Sequence, residues 1–338
     1  MRRWWCSRFL SACGVAACLA VVAAVAEAAP DPARVIGPDE CGECHKAEVQ
    51  IWRQTHHYKT FQTLPREDKA REIADRLGIR RIKNESLCLD CHFTSMIGDD
   101  GEPDAMAGIA CESCHGGARD WNNPHSDFGG KDVTAETETA EHRAKRLATS
   151  RAAGMISPVD RYQWANNCYS CHTVPKERLV NVGGHTAGSK FELVTWSQGE
   201  IRHNVWASAG RENPEASQED KRVFLVLGQM LDLEHALRGV AVATERADFA
   251  VAMAQRAKAA AKRIKQISEA VSTPEIAAIL EIAGSIKLSL GNGEALTAAA
   301  DGIAEQARAF AAGNDGSGLA ALDSLIPGAD RYKGTPAQ

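Results

Sequence analysis

Residues 108–117 read Gly-Ile-Ala-Cys-Glu-Ser-Cys-His-Gly-Gly. The centre of this stretch, Cys111 to His115, is a CxxCH unit. The chain holds three more: Cys41-Gly-Glu-Cys44-His45, Cys88-Leu-Asp-Cys91-His92 and Cys168-Tyr-Ser-Cys171-His172. Of eleven Cys, three (Cys6, Cys13 and Cys18) lie near the N-terminus, and the other eight make up these four units with none left over. Eight Cys in an oxidising compartment could form four disulfides, and CxxC pairs also build zinc ribbons. The residue after each second Cys decides the matter. His is 11 of 338 residues, so four such His by accident have odds of about one in a million. Disulfides and zinc ribbons have no need of them, whereas covalent haem does. Two thiols add across the two vinyl groups, and the adjacent His is held on one face as proximal ligand to iron. The expectation is four covalently bound haem c groups on Cys41, Cys44, Cys88, Cys91, Cys111, Cys114, Cys168 and Cys171. Their proximal iron ligands are then His45, His92, His115 and His172.

The sixth iron position can hold His, Met or nothing. The remaining His residues are His56, His57, His125, His142, His185, His203 and His235. No Met sits in an obvious ligand motif, so His is the default, with correspondingly low potentials. Residues 45–57 read as one helix. His57 is then about 18 Å along it from His45 and cannot bind the same iron. Cys111 follows His92 after only 18 residues, which keeps those two haems close.

Cys41–His45 followed by Trp52-x-x-Thr55-x-His57, a second CxxCH, and then Gly108-Ile-Ala-Cys-Glu-Ser-Cys-His-Gly-Gly resembles the tetrahaem cytochrome c-554 family. The resemblance covers roughly residues 38–206. It implies haems packed in close pairs that pass electrons from an oxidising enzyme to downstream carriers. It also implies two His ligands on three haems and an open distal face on one. On this resemblance His57, His125 in Asp120-Trp-Asn-Asn-Pro-His, and His203 at the end of Phe191–His203 are distal ligands. The family's open site belongs to the second motif, here the haem of His92. His185, in Gly183-Gly184-His185-Thr186, has no family counterpart. The Gly-Gly pair lets a backbone approach a haem closely, which makes His185 the candidate for that iron; an ordinary loop is the alternative. His56, His142 (in the charged stretch 136–151, read as a solvated helix) and His235 are not expected to be ligands.

Met1-Arg2-Arg3, Arg8, the apolar run 14–26 and Ala26-Glu27-Ala28 read as a secretory signal peptide over 1–28. The run is too short for a span, and it follows Cys13, whereas a lipoprotein signal would precede it. Without these residues the chain has 36 basic and 43 acidic residues, a formal charge of −7. That balance argues against nucleic acid as a partner and permits a basic patch on a redox partner. The mature chain has no stretch apolar enough for a transmembrane helix, and its expected location is the periplasm or the exterior.

The fold class expected is mainly α: a multihaem cytochrome c core of short helices and loops over 29–206, a linker at 207–216, a C-terminal helical bundle over 217–312 and a tail at 313–338. So few residues per haem cannot build an aliphatic core, so the haem faces are most of it. Trp121, Trp164, Trp196 and Trp206 are expected against haem edges. Beyond the linker, apolar stripes at helical spacing follow one another: Val226 to Val240, Met253 to Val271, Ile276 to Leu290 and Leu296 to Phe310. Ser217 and Thr273-Pro274 read as helix caps. The stripes read as self-packing core, or else as a docking surface for a partner or a second copy of the chain. The preferred function is electron transfer between redox partners, either a periplasmic oxidoreductase or a membrane quinol-oxidising complex. The alternatives are a haem enzyme acting on a small nitrogen or oxygen species at a five-coordinate haem, and a redox assembly subunit docking through its C-terminal helices.

Overall fold

Thiols three residues apart fall on one face of a helical turn, and a His one residue further stays beside them. The computed structural model describes residues 29–84, 86–208 and 211–337. It sets the CxxCH units on or at the ends of short helices. The signal peptide expected over 1–28 lies outside the described residues. In chain order the first helices are α1 (Pro38–Gly42), α2 (Lys46–Trp52), α3 (His56–Thr63), α4 (Asp68–Leu77) and α5 (Ser86–His92). A hairpin of β1 (Thr94–Ile97) and β2 (Pro103–Ala107) follows. Then come α6 (Cys111–His115), α7 (Asn122–Ser126), α8 (Ala140–Ala152), α9 (Arg161–His172), α10 (Glu177–Asn181) and α11 (Leu193–Ser197). Four longer helices close the fold: α12 (Gln218–Val242), α13 (Asp248–Ala270), α14 (Pro274–Ser285) and α15 (Gly293–Gly313). The protein is mainly α, as its sequence predicts.

The single helix read over 45–57 is two helices. Thr55 ends the first by donating to the Trp52 carbonyl (2.7 Å) and caps the second by accepting from Tyr58 N (3.2 Å). A capping Thr has extended backbone, here φ −78° and ψ 161°, so the chain turns before His57. The antiparallel hairpin was not expected from the sequence. Its register runs from Thr94 opposite Ala107 to Ile97 opposite Pro103. Buried Thr94 ties it to the third motif: its hydroxyl accepts from Ala110 N (2.9 Å) and lies 2.6 Å from Ser113 Oγ. The third motif is pinned again by Glu112, 1% exposed. The Glu112 carboxylate accepts from the backbone amides of Ile36 (2.9 Å), Gly37 (2.8 Å) and Ala118 (2.8 Å). Three donors compensate the burial of that charge. Gly108 is needed here because a Cβ would run into the carbonyls of His57 and Tyr58.

In the C-terminal half, Ser217 caps α12 by accepting from Asp220 N (3.0 Å), and Thr273 caps α14 by accepting from Ile276 N (3.3 Å). The stripe Val226, Met230, Leu233, Leu237 and Val240 is buried, but so are Val223 to Leu227 without a break. A helix buried on all sides is enclosed by neighbours. One side of α12 packs on α13 and α15, the other on α9 and α11. Tyr162 donates to Glu234 (2.9 Å), and Leu193, Tyr169 and Phe191 belong to the same apolar cluster as Leu237 and Ile303. The boundary drawn at 207–216 therefore lies between elements that share one core. The described part of that stretch is pinned as well: buried Asn213 donates to the carbonyls of Arg202 (2.8 Å) and Ala337 (2.9 Å). The tail, too, packs. Leu319 and Leu322 are buried, and Asp323 takes both nitrogens of the Arg222 fork, at 2.6 and 2.9 Å. Among the described residues no helix is long and apolar enough to cross a membrane.

Candidate haem sites

The four His residues of the CxxCH units stand at helix ends. His92 and His172 close α5 and α9, His115 closes α6, and His45 begins the turn into α2. Each faces one other imidazole from far along the chain. Ring centroids are 6.3 Å apart for His45 and His125, 6.3 Å for His92 and His185, 6.2 Å for His115 and His203, and 6.2 Å for His172 and His57. This spacing has a simple meaning. A first-row metal binds an imidazole nitrogen at about 2.0–2.1 Å. A five-membered ring with sides of about 1.33 Å puts its nitrogen about 1.1 Å from the centroid. Two imidazoles on opposite sides of one metal therefore have centroids about 6.3 Å apart. Direct stacking would bring them closer.

Hydrogen bonds fix which nitrogen points inward. Nδ1 of His115 lies 3.1 Å from the Ile156 carbonyl, and that of His172 lies 3.1 Å from Ser189 Oγ. His185 uses Nδ1 on the Thr186 carbonyl (2.8 Å), His203 on the Ile201 carbonyl (2.7 Å), and His125 on the Asn122 carbonyl. Each leaves Nε2 for a metal, the arrangement metal-binding His residues adopt. Burial, helped by neighbouring imidazoles, pushes His92 and His115 down to about 4 and His172 to about 3. Burial also lowers His45 and His57. They are neutral at pH 7, the form that ligates.

The motifs associate in two couples. Cys41 lies beside Cys111, and Cys91 beside Cys171. The first and third motifs, with His125 and His203, make one group; the second and fourth, with His185 and His57, make the other. Asn167 joins them by donating to the carbonyls of Ser113 (2.5 Å) and Cys114 (3.3 Å). Two buried donors beside the first group, Trp121 Nε1 and Arg202 Nε, have no acceptor among the described residues. They suit a group with carboxylates of its own. The paired imidazoles, adjacent thiols and waiting donors together fit haem c.

The His residues not expected as ligands have other partners. His56 is exposed and bonds Glu200 (2.9 Å), His142 bonds Glu138 (2.7 Å), and half-buried His235 bonds Asn166 (2.7 Å). Trp121, Trp196 and Trp206 lie against His125, His172 and His45, whereas Trp164 packs on Phe224 in the apolar core. Three supporting residues escaped the sequence reading. They are Glu112, Ser189 and Arg146, which donates to the His125 carbonyl (2.6 Å) and is held by Glu138. Arg146 lies in the charged stretch read as a solvated helix; the pair Glu138 and Arg146 was its only visible signal.

The family described as cytochrome c554 and c-prime matches residues 40–116, which contain three of the four motifs. Residues 40–116 are thus similar to the cytochrome c-554 family. Cytochrome c-554 of Nitrosomonas europaea is 28% identical over 129 residues, 36% of this chain and 55% of the relative. The match thus spans about half of that cytochrome's length. No solved structure matches the chain significantly. As a c-type cytochrome the chain carries covalently bound haem c.

Proposed function

We propose that the chain is an exported tetrahaem electron carrier whose four irons each sit between two imidazoles. One observation carries this: four separate His pairs, each at least 80 residues apart in sequence, share the spacing of 6.2–6.3 Å. Haem iron supplies a one-electron couple between its ferric and ferrous states. The residues do the rest. Cys41 and Cys44, Cys88 and Cys91, Cys111 and Cys114, and Cys168 and Cys171 anchor the groups. His45 with His125, His92 with His185, His115 with His203, and His172 with His57 would hold the irons. Neutral imidazoles held in place by the protein would leave little to rearrange when an electron passes.

The contacts between motifs give an order of travel: first, third, fourth, second. Cys41 touches Cys111, Asn167 bridges the third and fourth motifs, and Cys171 touches Cys91. The partners are redox proteins, a periplasmic oxidoreductase or a membrane quinol-oxidising complex. His185 opposite His92 argues against the enzyme alternative, which needs a free position at the second haem. A Cβ on Gly183 would meet Leu77 and Ile73 of α4, and Gly184 has φ +73°, so the Gly-Gly pair fits the chain around that helix. Replacing His185 by Ala in the four-haem protein should turn one low-spin haem high-spin without losing covalent haem. An unchanged spectrum would return the second haem to the open form.

A further inference from the structure

We propose that the cationic surface over residues 66–83 is the docking face for an acidic redox protein, and that electrons cross there to or from the haem of the second motif. This rests on the tetrahaem reading above. The segment carries seven basic and four acidic residues, a local charge of +3, in a mature chain of formal charge −7. Arg66, Arg80 and Arg81 are exposed, and no carboxylate among the described residues pairs with them. Arg71, Arg80, Arg81 and Lys83 rim a cavity of about 500 Å³ whose apolar side includes Ile79 and Ile82. Crowding like charges is unfavourable, as the Lys83 ammonium shows: partial burial and Arg66 lower its pKa. An acidic partner relieves that repulsion.

The position of the patch gives it a use. Ile79 and Ile82 pack with Leu87 and Cys88 of the second motif. The Lys83 ammonium lies 3.2 Å over the Phe61 ring, which meets Phe93 edge to face at 6.3 Å, and Phe93 directly follows His92. On the other side, Arg76 donates to the Gly183 carbonyl (3.4 Å), two residues before His185. The patch therefore covers both flanks of the second site, the last in the order of travel. The rest of the chain is net negative, so an acidic partner is repelled elsewhere and steered to this end.

The full four-haem protein and its Arg80→Glu/Arg81→Glu variant decide this, with two small oxidants as probes. Each reduced haem gives one electron to one hexacyanoferrate(III), forming hexacyanoferrate(II). At low salt the variant should react about tenfold more slowly with this anion, and no more slowly with cationic hexaammineruthenium(III). A polyglutamate peptide should slow the hexacyanoferrate reaction of the parent protein and not that of the variant. Equal rates and equal polyglutamate effects in both proteins would overturn the proposal. So would binding of the parent to phosphatidylserine vesicles together with indifference to polyglutamate, which would make this a membrane face. Arg80→Gln/Arg81→Gln should give the same direction at smaller size. Haem count and the low-spin spectrum of the parent test the tetrahaem reading separately.

Discussion

Residues 29–160 and residues 218–313 are held together by different means. The second region buries its own side chains: Leu227, Met230, Leu237, Met253, Ile264, Ile303 and Phe310 are at most 1% exposed. The first region contributes no buried residue to that main cluster, which begins at Tyr162. Its own cluster is Ile73, Ala74, Leu77 and Ile79 with Leu179. What fixes it otherwise are polar pins such as Glu112 and Thr94, and imidazoles facing each other across a metal-sized gap. One region obtains its core from its sequence; the other must obtain it from prosthetic groups.

The largest consequence concerns a chain made without haem attachment. Hydrogen exchange should be fast over residues 38–126 and slow over 218–313. Equal protection in both would erase the distinction. The next concerns the join between the regions. A chain ending at Ala216 exposes Tyr162, Tyr169 and Leu193, so the haem on His172 should lose its low-spin spectrum while those on His45 and His115 keep theirs. Four unchanged haems would mean that the bundle is a separate fold. Within the bundle, Leu237→Ala should lower unfolding free energy by about 2–5 kcal/mol, measured by denaturant titration, with four haems retained.

A finer probe lies where the bundle reaches a ligand. Arg256 of α13, paired with Asp232, donates to the Ser189 carbonyl (3.0 Å), and Ser189 Oγ accepts from His172 Nδ1 at 3.1 Å. That bond makes the imidazole a stronger donor and favours the ferric state. Ser189→Ala should raise one of four potentials by up to about tenfold in its reduction equilibrium, ~59 mV for one electron, and Ser189→Thr should restore it. Four unmoved midpoints would separate the bundle from the haem electronics. The smallest effect is expected at His56, exposed and bonded to Glu200: His56→Ala should leave the visible spectrum unchanged.

These differences also explain what could be read from the chain. The CxxCH units and the helical stripes are local patterns, and they appear where their spacing put them, except that α14 ends at Ser285, before Ile286 and the exposed Leu290 of the third stripe. Which imidazole faces which is not local: His45 and His125, or His172 and His57, are brought together by folding of distant segments, so no spacing rule reaches them. Thr94–Ile97 is too short to show alternation, and Pro103 and Asp104 in its partner are poor strand formers. The stripe on α12 was legible, but not its burial on a second face, because that face is set by α9 and α11. Thr55, which caps α3, interrupts a run that read as one helix.

Low-temperature electron paramagnetic resonance of the oxidised protein, followed by carbon monoxide after reduction, tests the four imidazole pairs most directly. Four low-spin ferric centres and no carbon monoxide adduct are expected. A stoichiometric high-spin signal with carbon monoxide bound to the reduced protein would contradict the account, at the haem of His92 above all.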